Sequence, residues 1–254
     1  MEHKPRGGRY FVGTSGWNYK HWSGGVFYPG GMKPSEWLKY YSRYFESVEI
    51  NNSFYRLPEK HVFEKWHDTS PENFIFAVKA SRFITHMKKL ADPEDLLPPF
   101  LENGSGLKEK LEVILFQLPP FWKFNKDRLA GLFHFVSRQQ ILPGVRSALE
   151  VRHASWCCDA CFYILQQYNV SLAITDWPGL PVEGPLTADF VFVRRHGPGS
   201  LYASSYPDSH LRRDAQRMHA WLSEGRDVYI YYNNDAYGYA VKNALTLKEF
   251  LDKG

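Results

Sequence analysis

From residue 10 onward, short apolar runs with a two-residue period alternate with longer stretches whose apolar positions recur about every 3.6 residues. Eight runs rich in β-branched and aromatic residues predict strands at Tyr10–Ser15, Ser47–Ser53, Phe74–Ser81, Glu112–Leu118, Arg146–Arg152, Ser171–Asp176, Asp189–His196 and Asp227–Asn233. Helices are predicted over Pro34–Phe45, Glu59–His67, Asp127–Arg138, Asp159–Tyr168, His210–Glu224 and Ala240–Leu251. Pro34 suits a first helical turn, and Trp37, Leu38, Tyr41 and Phe45 follow at helical spacing. Asn125 or Asp127 can cap the helix that starts near residue 127. His86–Glu109 holds Pro93, Pro98, Pro99 and an Asn-Gly-Ser-Gly run, and reads as a long loop with a short, interrupted helix. Trp177–Thr187 is rich in Pro and Gly and takes the place of a further helix.

Strands alternating with helices imply a parallel sheet. Eight such units without a linker predict one domain over residues 1–254, a single (β/α)8 TIM barrel spanning about 10–252 behind a flexible N-terminus at 1–9. The length of 254 residues fits that fold, for which about 250 is typical. A doubly wound open sheet is the alternative. It asks for a glycine-rich phosphate turn after the first strand, and Gly13-Thr14-Ser15-Gly16-Trp17 has only two glycines and a Trp where the helix would begin.

Barrel active sites lie at the C-terminal ends of the strands. Nearly every predicted strand here ends in polar residues: Ser15 with Trp17, Glu49 with Asn51, Lys79, Gln117, Glu150 with Arg152, Asp176, Arg194 with His196, and Asn233-Asn234. Side chains alternate across a strand, so Phe76 and Val78 facing the helices turns Lys79 inward, and Leu149 and Val151 facing out turns Glu150 and Arg152 inward. An inward charge is costly unless paired or functional, so this ring predicts a hydrated, ligand-sized pocket.

Composition changes the picture little. Aromatic content of 17% and hydrophobic content of 44% exclude a disordered chain. A net charge of +4, with basic residues scattered, suits a small anionic ligand as well as a polynucleotide. Three clustered cysteines, Cys157, Cys158 and Cys161, make no disulfide framework and point to a reducing, cytoplasmic setting. No apolar run approaches the ~18 residues of a membrane span, so no membrane association is expected.

The chain resembles the YecE-like family, a group of barrel proteins classed as a domain of unknown function. The resemblance rests on Gly13-Thr14-Ser15-Gly16-Trp17 with Trp22, Phe27-Tyr28-Pro29, Tyr44-Phe45, and Val48-Glu49-Ile50-Asn51-Asn52-Ser53-Phe54-Tyr55. It continues through Phe76-Ala77-Val78-Lys79-Ala80, Leu115-Phe116-Gln117-Leu118-Pro119-Pro120, Glu150-Val151-Arg152-His153 with Ser155-Trp156, Arg194 with His196-Gly197, and Tyr231-Tyr232-Asn233-Asn234. It implies a (β/α)8 barrel and brings no established activity. One suggestion attached to the family is a distant likeness to nucleic-acid-processing barrels such as endonuclease IV.

The leading expectation is an enzyme, a hydrolase or an isomerase or lyase, acting on a small anionic, phosphate- or sugar-like substrate by acid–base or hydrolytic chemistry. Glu49, Lys79, Glu150 and His196 are its candidate catalytic residues. Ser15, Trp17, Asn51, Gln117, Arg152, Asp176, Arg194, Asn233 and Asn234 are candidates for holding the ligand, with Arg152 and Arg194 clamping its anion. Lys79 suits a Schiff-base nucleophile or a phosphate anchor, or else a structural ion pair with Glu49 or Glu150. Each carboxylate could equally do no more than neutralise an arginine. No cofactor and no metal ligands are expected; a divalent metal is the lesser alternative, since HxH and HExxH spacings are lacking. A nucleic-acid-binding barrel, with loop aromatics stacking bases, and a non-catalytic ligand-binding barrel are the competing functions. Tyr202–Pro207 reads as a flexible flap after the seventh strand.

Overall fold

The structure, a computed structural model, describes residues 7–181 and 184–253, so most of the expected flexible N-terminus lies outside the described residues. Among the described residues nine strands run parallel: β1 (Tyr10–Thr14), β2 (Ser47–Ile50), β3 (Ile75–Lys79), β4 (Leu111–Gln117), β5 (Arg146–Glu150), β6 (Val170–Leu172), β7 (Ile174–Thr175), β8 (Phe190–Arg195) and β9 (Asp227–Tyr232). Their hydrogen bonds form two sheets, β1-β9-β8-β7 and β2-β3-β4-β5-β6. The single closed sheet expected from the sequence is thus resolved into two parallel sheets. The expected sixth strand is divided at Ala173 into β6 and β7, and these belong to different sheets. Between β1 and β2 there is one bridge, Ser15 to Glu49. Gly13 permits that approach, because a Cβ at this position would stand 2.3 Å from the Ser47 carbonyl oxygen.

Alternation along each strand sorts the core into two parts. Phe11, Ala77, Val113, Leu115, Ala148, Phe192, Tyr229 and Tyr231 form one apolar cluster. Val12, Val48, Ile50, Phe76, Val78, Ile114, Phe116 and Leu149 turn the other way and pack with residues of the helices, among them Leu132 and Leu165. Burial on both faces explains why the strands read as almost unbroken apolar runs.

The helices are α1 (Trp37–Tyr41), α2 (Asn52–Tyr55), α3 (Lys60–Thr69), α4 (Pro93–Gly104), α5 (Lys126–Arg138), α6 (Asp159–Gln167), α7 (Asp208–Ser223) and α8 (Tyr239–Asp252). Asn125 caps α5, its side chain accepting from the Arg128 N–H at 3.0 Å. Two elements differ from expectation. The second strand stops at Ile50, where the chain coils into α2 and its Ser53 hydroxyl donates to the Lys79 carbonyl at 2.7 Å. The expected interrupted loop contains the full α4 despite Pro98 and Pro99, because burial of Leu97, Phe100 and Leu101 outweighs the lost backbone bonds. Pro/Gly-rich Trp177–Thr187 contains no helix among its described residues.

Candidate active site at the strand ends

Parallel register delivers Glu49, Lys79, Gln117, Glu150, Thr175 and Arg194 to the same ends of their strands. Arg194 is the centre. It is fully buried, and its guanidinium grips Glu49 with two bonds, Nε to Oε2 at 2.8 Å and Nη2 to Oε1 at 2.7 Å. Its Nη1 donates to Glu150 Oε2 at 2.5 Å, and Nη2 also reaches the Ser15 hydroxyl at 3.4 Å. Glu150 takes a second cation on its other oxygen, Arg152 Nη2 at 2.6 Å, and beside it the His196 Nε2 at 3.0 Å. Glu150 is held well below the usual carboxylate range: burial opposes ionisation, and Arg152, Arg194 and His196 together overcome it. Arg152 Cζ also lies over the Trp177 ring, 3.5 Å from its centre.

His196 is fully buried. Asn233 Nδ2 lies 3.1 Å from its Nδ1, where the ring accepts, and Nε2 faces Glu150 Oε1 at 3.0 Å and Arg152 Nη2 at 3.3 Å. Burial lowers its pKa despite the carboxylate. Its backbone N–H donates to Asp176 at 2.8 Å, and Asp176 in turn accepts from the Tyr206 hydroxyl.

Lys79 stands apart in this group. It is 9% exposed, and among the described residues its Nζ has no hydrogen bond and no ion pair. Its contact is the Phe54 ring, 4.1 Å from Nζ to the ring centre. Burial lowers its pKa to about 7, helped by Arg194 and Arg152 and opposed by Glu49 and Glu150. The structural ion pair with Glu49 or Glu150 is therefore not formed, because the arginines occupy both carboxylates. His86, in the π-helical turn Phe83–Met87, packs edge-on against the same Phe54 ring. Burial and the neighbouring Lys79, Arg82 and Arg152 hold the His86 pKa down at about 4, so its ring is neutral. Such a turn often marks a functional position.

The expected site residues find the following partners. Arg194, expected to clamp a ligand, makes four hydrogen bonds inside the protein, to Glu49, Glu150 and Ser15. Every carboxylate oxygen of Glu49 and Glu150, both expected as catalytic residues, already accepts from an arginine, Arg194 on Glu49 and Arg194 with Arg152 on Glu150. Trp17 does not join the charged group. It is buried edge-on against Trp66 of α3 and lines a cleft of about 570 Å³ with Asn51, Tyr55 and Lys65. Asp176 and Asn234 hold loops: Asn234 donates to the Ser204 carbonyl and to Asn243 Oδ1, both at 2.8 Å. The expected flexible flap is likewise pinned, with Tyr206 buried against Asp176 and Asn243.

Ser15, Asn51, Gln117, Arg152 and Asn233 do gather with Lys79 around the strand ends. Asn51 donates to the Ser15 carbonyl at 3.1 Å, and Gln117 Nε2 donates to the Leu118 carbonyl at 3.2 Å. Arg152 Nε and Asn51 Oδ1 are buried without a hydrogen-bond partner among the described residues. Phe54 and His86 were not among the site residues expected from the sequence. Their position depends on α2 and the π-helical turn, for which the sequence carries no periodic signal. Cys157 and Cys158 are half-buried, Cys161 is buried, and all are free thiols. No cluster of three metal-ligating side chains occurs among the described residues. No helix among them is long and apolar enough to cross a membrane.

A family model described as "Protein of unknown function DUF72" matches residues 11–254. The protein YunF of Bacillus subtilis, designated UPF0759, is 26% identical, with 95% of this chain and 94% of YunF covered. YecE of Escherichia coli K12, also UPF0759, is 33% identical across 46% of this chain and 41% of its own length. Among solved structures, a DUF72 family protein of Thermotoga maritima aligns with a TM-score of 0.77 at 26% identity, covering 96% of this chain and 99% of that one. One from Enterococcus faecalis aligns with a TM-score of 0.79 at 20% identity, covering 96% and 95%, and speaks to fold alone.

Proposed function

The chain belongs to the DUF72 family of YecE-like proteins, and we propose that it is an enzyme that takes a small anionic, phosphate- or sugar-like substrate at the strand ends and works on it by acid–base chemistry centred on Lys79. In this reading the two sheets act as one closed (β/α)8 barrel. The Ser15–Glu49 bridge and the single residue between β6 and β7 support that closure. The free cysteines support a cytoplasmic setting.

One observation carries the proposal: Lys79 is buried among charges without a hydrogen-bond or ion-pair partner among the described residues. Glu49 and Glu150 balance Arg152 and Arg194, which leaves the Lys79 ammonium as the extra charge, and an anion completes it. A pKa near 7 makes both the amine and the ammonium available at neutral pH, as a proton-transfer group requires. Hydrolysis has less support, because neither carboxylate is free to activate water. Arg152, with its unpartnered Nε, replaces Arg194 as the arginine suited to meet the anion.

Thermal denaturation with inorganic phosphate tests the site. An anion that binds the folded state alone raises its stability by about 2.7 kcal/mol at a concentration a hundred times its Kd. The rise should be present in wild type and lost in Lys79→Met. An equal rise in both proteins refutes the proposal.

A second reading has its own observation. Tyr55, Phe83, Phe121, Tyr202 and Tyr237 are exposed on the loops that follow β2, β3, β4, β8 and β9, the same side as Lys79. Exposed rings around a basic mouth suit stacking on single-stranded nucleic acid. Binding to an oligonucleotide that weakens steeply with salt favours this reading, and the absence of binding at low salt removes it.

A further inference from the structure

We propose that Lys79 is a covalent nucleophile that forms an imine with a small aldehyde or ketone bearing an anionic group. This names the substrate class for the site above and rests on that reading. Nζ lies against the Phe54 ring, and among the described residues no donor occupies its lone pair and no acceptor holds it as an ammonium. Desolvation beside other cations is the environment that turns a lysine into an amine nucleophile. Four charged groups surround it: Glu49 on β2, Glu150 at the end of β5, Arg152 just beyond, and Arg194 on β8. His86, on the turn after β3, flanks the same ring as a neutral imidazole. Both carboxylates are committed to arginines, so none competes for the amine. Arg152 supplies a buried donor, Nε, for the substrate's anionic end, and Asn51 a buried acceptor, Oδ1, for a hydroxyl.

The unprotonated amine adds its lone pair to the carbonyl carbon, and a proton passes from the nitrogen to the former carbonyl oxygen to give a carbinolamine. The C–O bond then breaks, the hydroxyl leaves with a further proton as water, and the nitrogen lone pair forms the C=N bond of a protonated imine. Across the sequence, amine, carbonyl compound and one proton become iminium ion and water. No oxidant or reductant is consumed. The iminium carries its positive charge where the ammonium stood, within the same charge balance.

The test uses the full chain with glycolaldehyde phosphate, sodium cyanoborohydride to reduce the iminium to a stable secondary amine, and peptide mapping by mass spectrometry. Glycolaldehyde serves as the uncharged control. The expected result is an adduct at Lys79 in preference to exposed lysines, half-maximal near pH 7, and about tenfold more abundant with the phosphorylated probe, the size of one added charge-assisted contact. Lys79→Arg keeps the cation and should retain the thermal protection by phosphate while losing the adduct. Adducts spread over exposed lysines with no excess at Lys79 overturn the imine. If phosphate still protects wild type and not Lys79→Met, the anion-site reading survives that failure. If neither adduct nor protection is seen, both readings fall together.

Discussion

Replacing Lys79 by methionine should stabilise the protein, and by an amount that depends on pH. The ammonium is disfavoured in the fold, so its pKa falls from 10.5 to about 7. Each tenfold change in that equilibrium is worth about 1.4 kcal/mol, so the penalty on the charged form is about 5 kcal/mol at most. Relaxation and water penetration reduce such penalties to a few kcal/mol in real proteins. Between about pH 7 and pH 10.5 the unfolded chain binds a proton that the folded chain does not, so stability from this group rises with pH across that window. Below pH 7 both states are protonated and the full penalty applies. Methionine fills nearly the same space without the charge. Urea denaturation of wild type and Lys79→Met at pH 6 and pH 10 measures the difference directly, and perturbations common to both proteins cancel. The variant should gain about 2–5 kcal/mol at pH 6 and little at pH 10. A variant that is destabilised at both pH values, or a gain that does not change with pH, would show that Lys79 has a partner in the folded protein and would refute its role as the unpaired cation.

Other outcomes follow from the same network. Glu49→Gln removes one of the two carboxylates that hold the fully buried Arg194, and urea denaturation should show a loss of about 3–5 kcal/mol; less than 1 kcal/mol would mean that the pair is dispensable. Asp235 accepts from the Trp22 indole at 2.6 Å, and burial raises its pKa to about 6, so its contribution to stability falls as pH rises from about 4 to 6. Asp235→Asn should therefore compare better with wild type at pH 7 than at pH 4, by about 2 kcal/mol, and an unchanged difference contradicts the shift. The triple change of Cys157, Cys158 and Cys161 to alanine should cost about 1–3 kcal/mol at the buried Cys161 and less at the other two, while leaving phosphate protection intact. Stoichiometric metal in the wild type that the triple variant lacks would identify a metal site in this cluster.

The local pattern was sufficient to determine the parallel α/β class, the approximate positions of most strands and the shared direction of Lys79, Glu150 and Arg152. Two-residue alternation places every other side chain on one face wherever the strand packs. It was insufficient for closure, because whether β6 and β7 join one sheet or two depends on backbone hydrogen bonds at Ala173 that no side-chain pattern encodes. It also could not assign partners. Arg194, Arg152 and Lys79 look equivalent along the chain, and each could have met either carboxylate or a ligand. Only the tertiary structure shows that the planar fork of Arg194 takes Glu49 in two bonds and still reaches Glu150, while Arg152 takes the remaining oxygen. Two carboxylates filled by two guanidiniums leave the third cation, Lys79, unpaired against Phe54. Which lysine has its pKa lowered is thus decided by long-range geometry and the local dielectric, since the charge on an ammonium depends on what surrounds it and not on its neighbours in sequence.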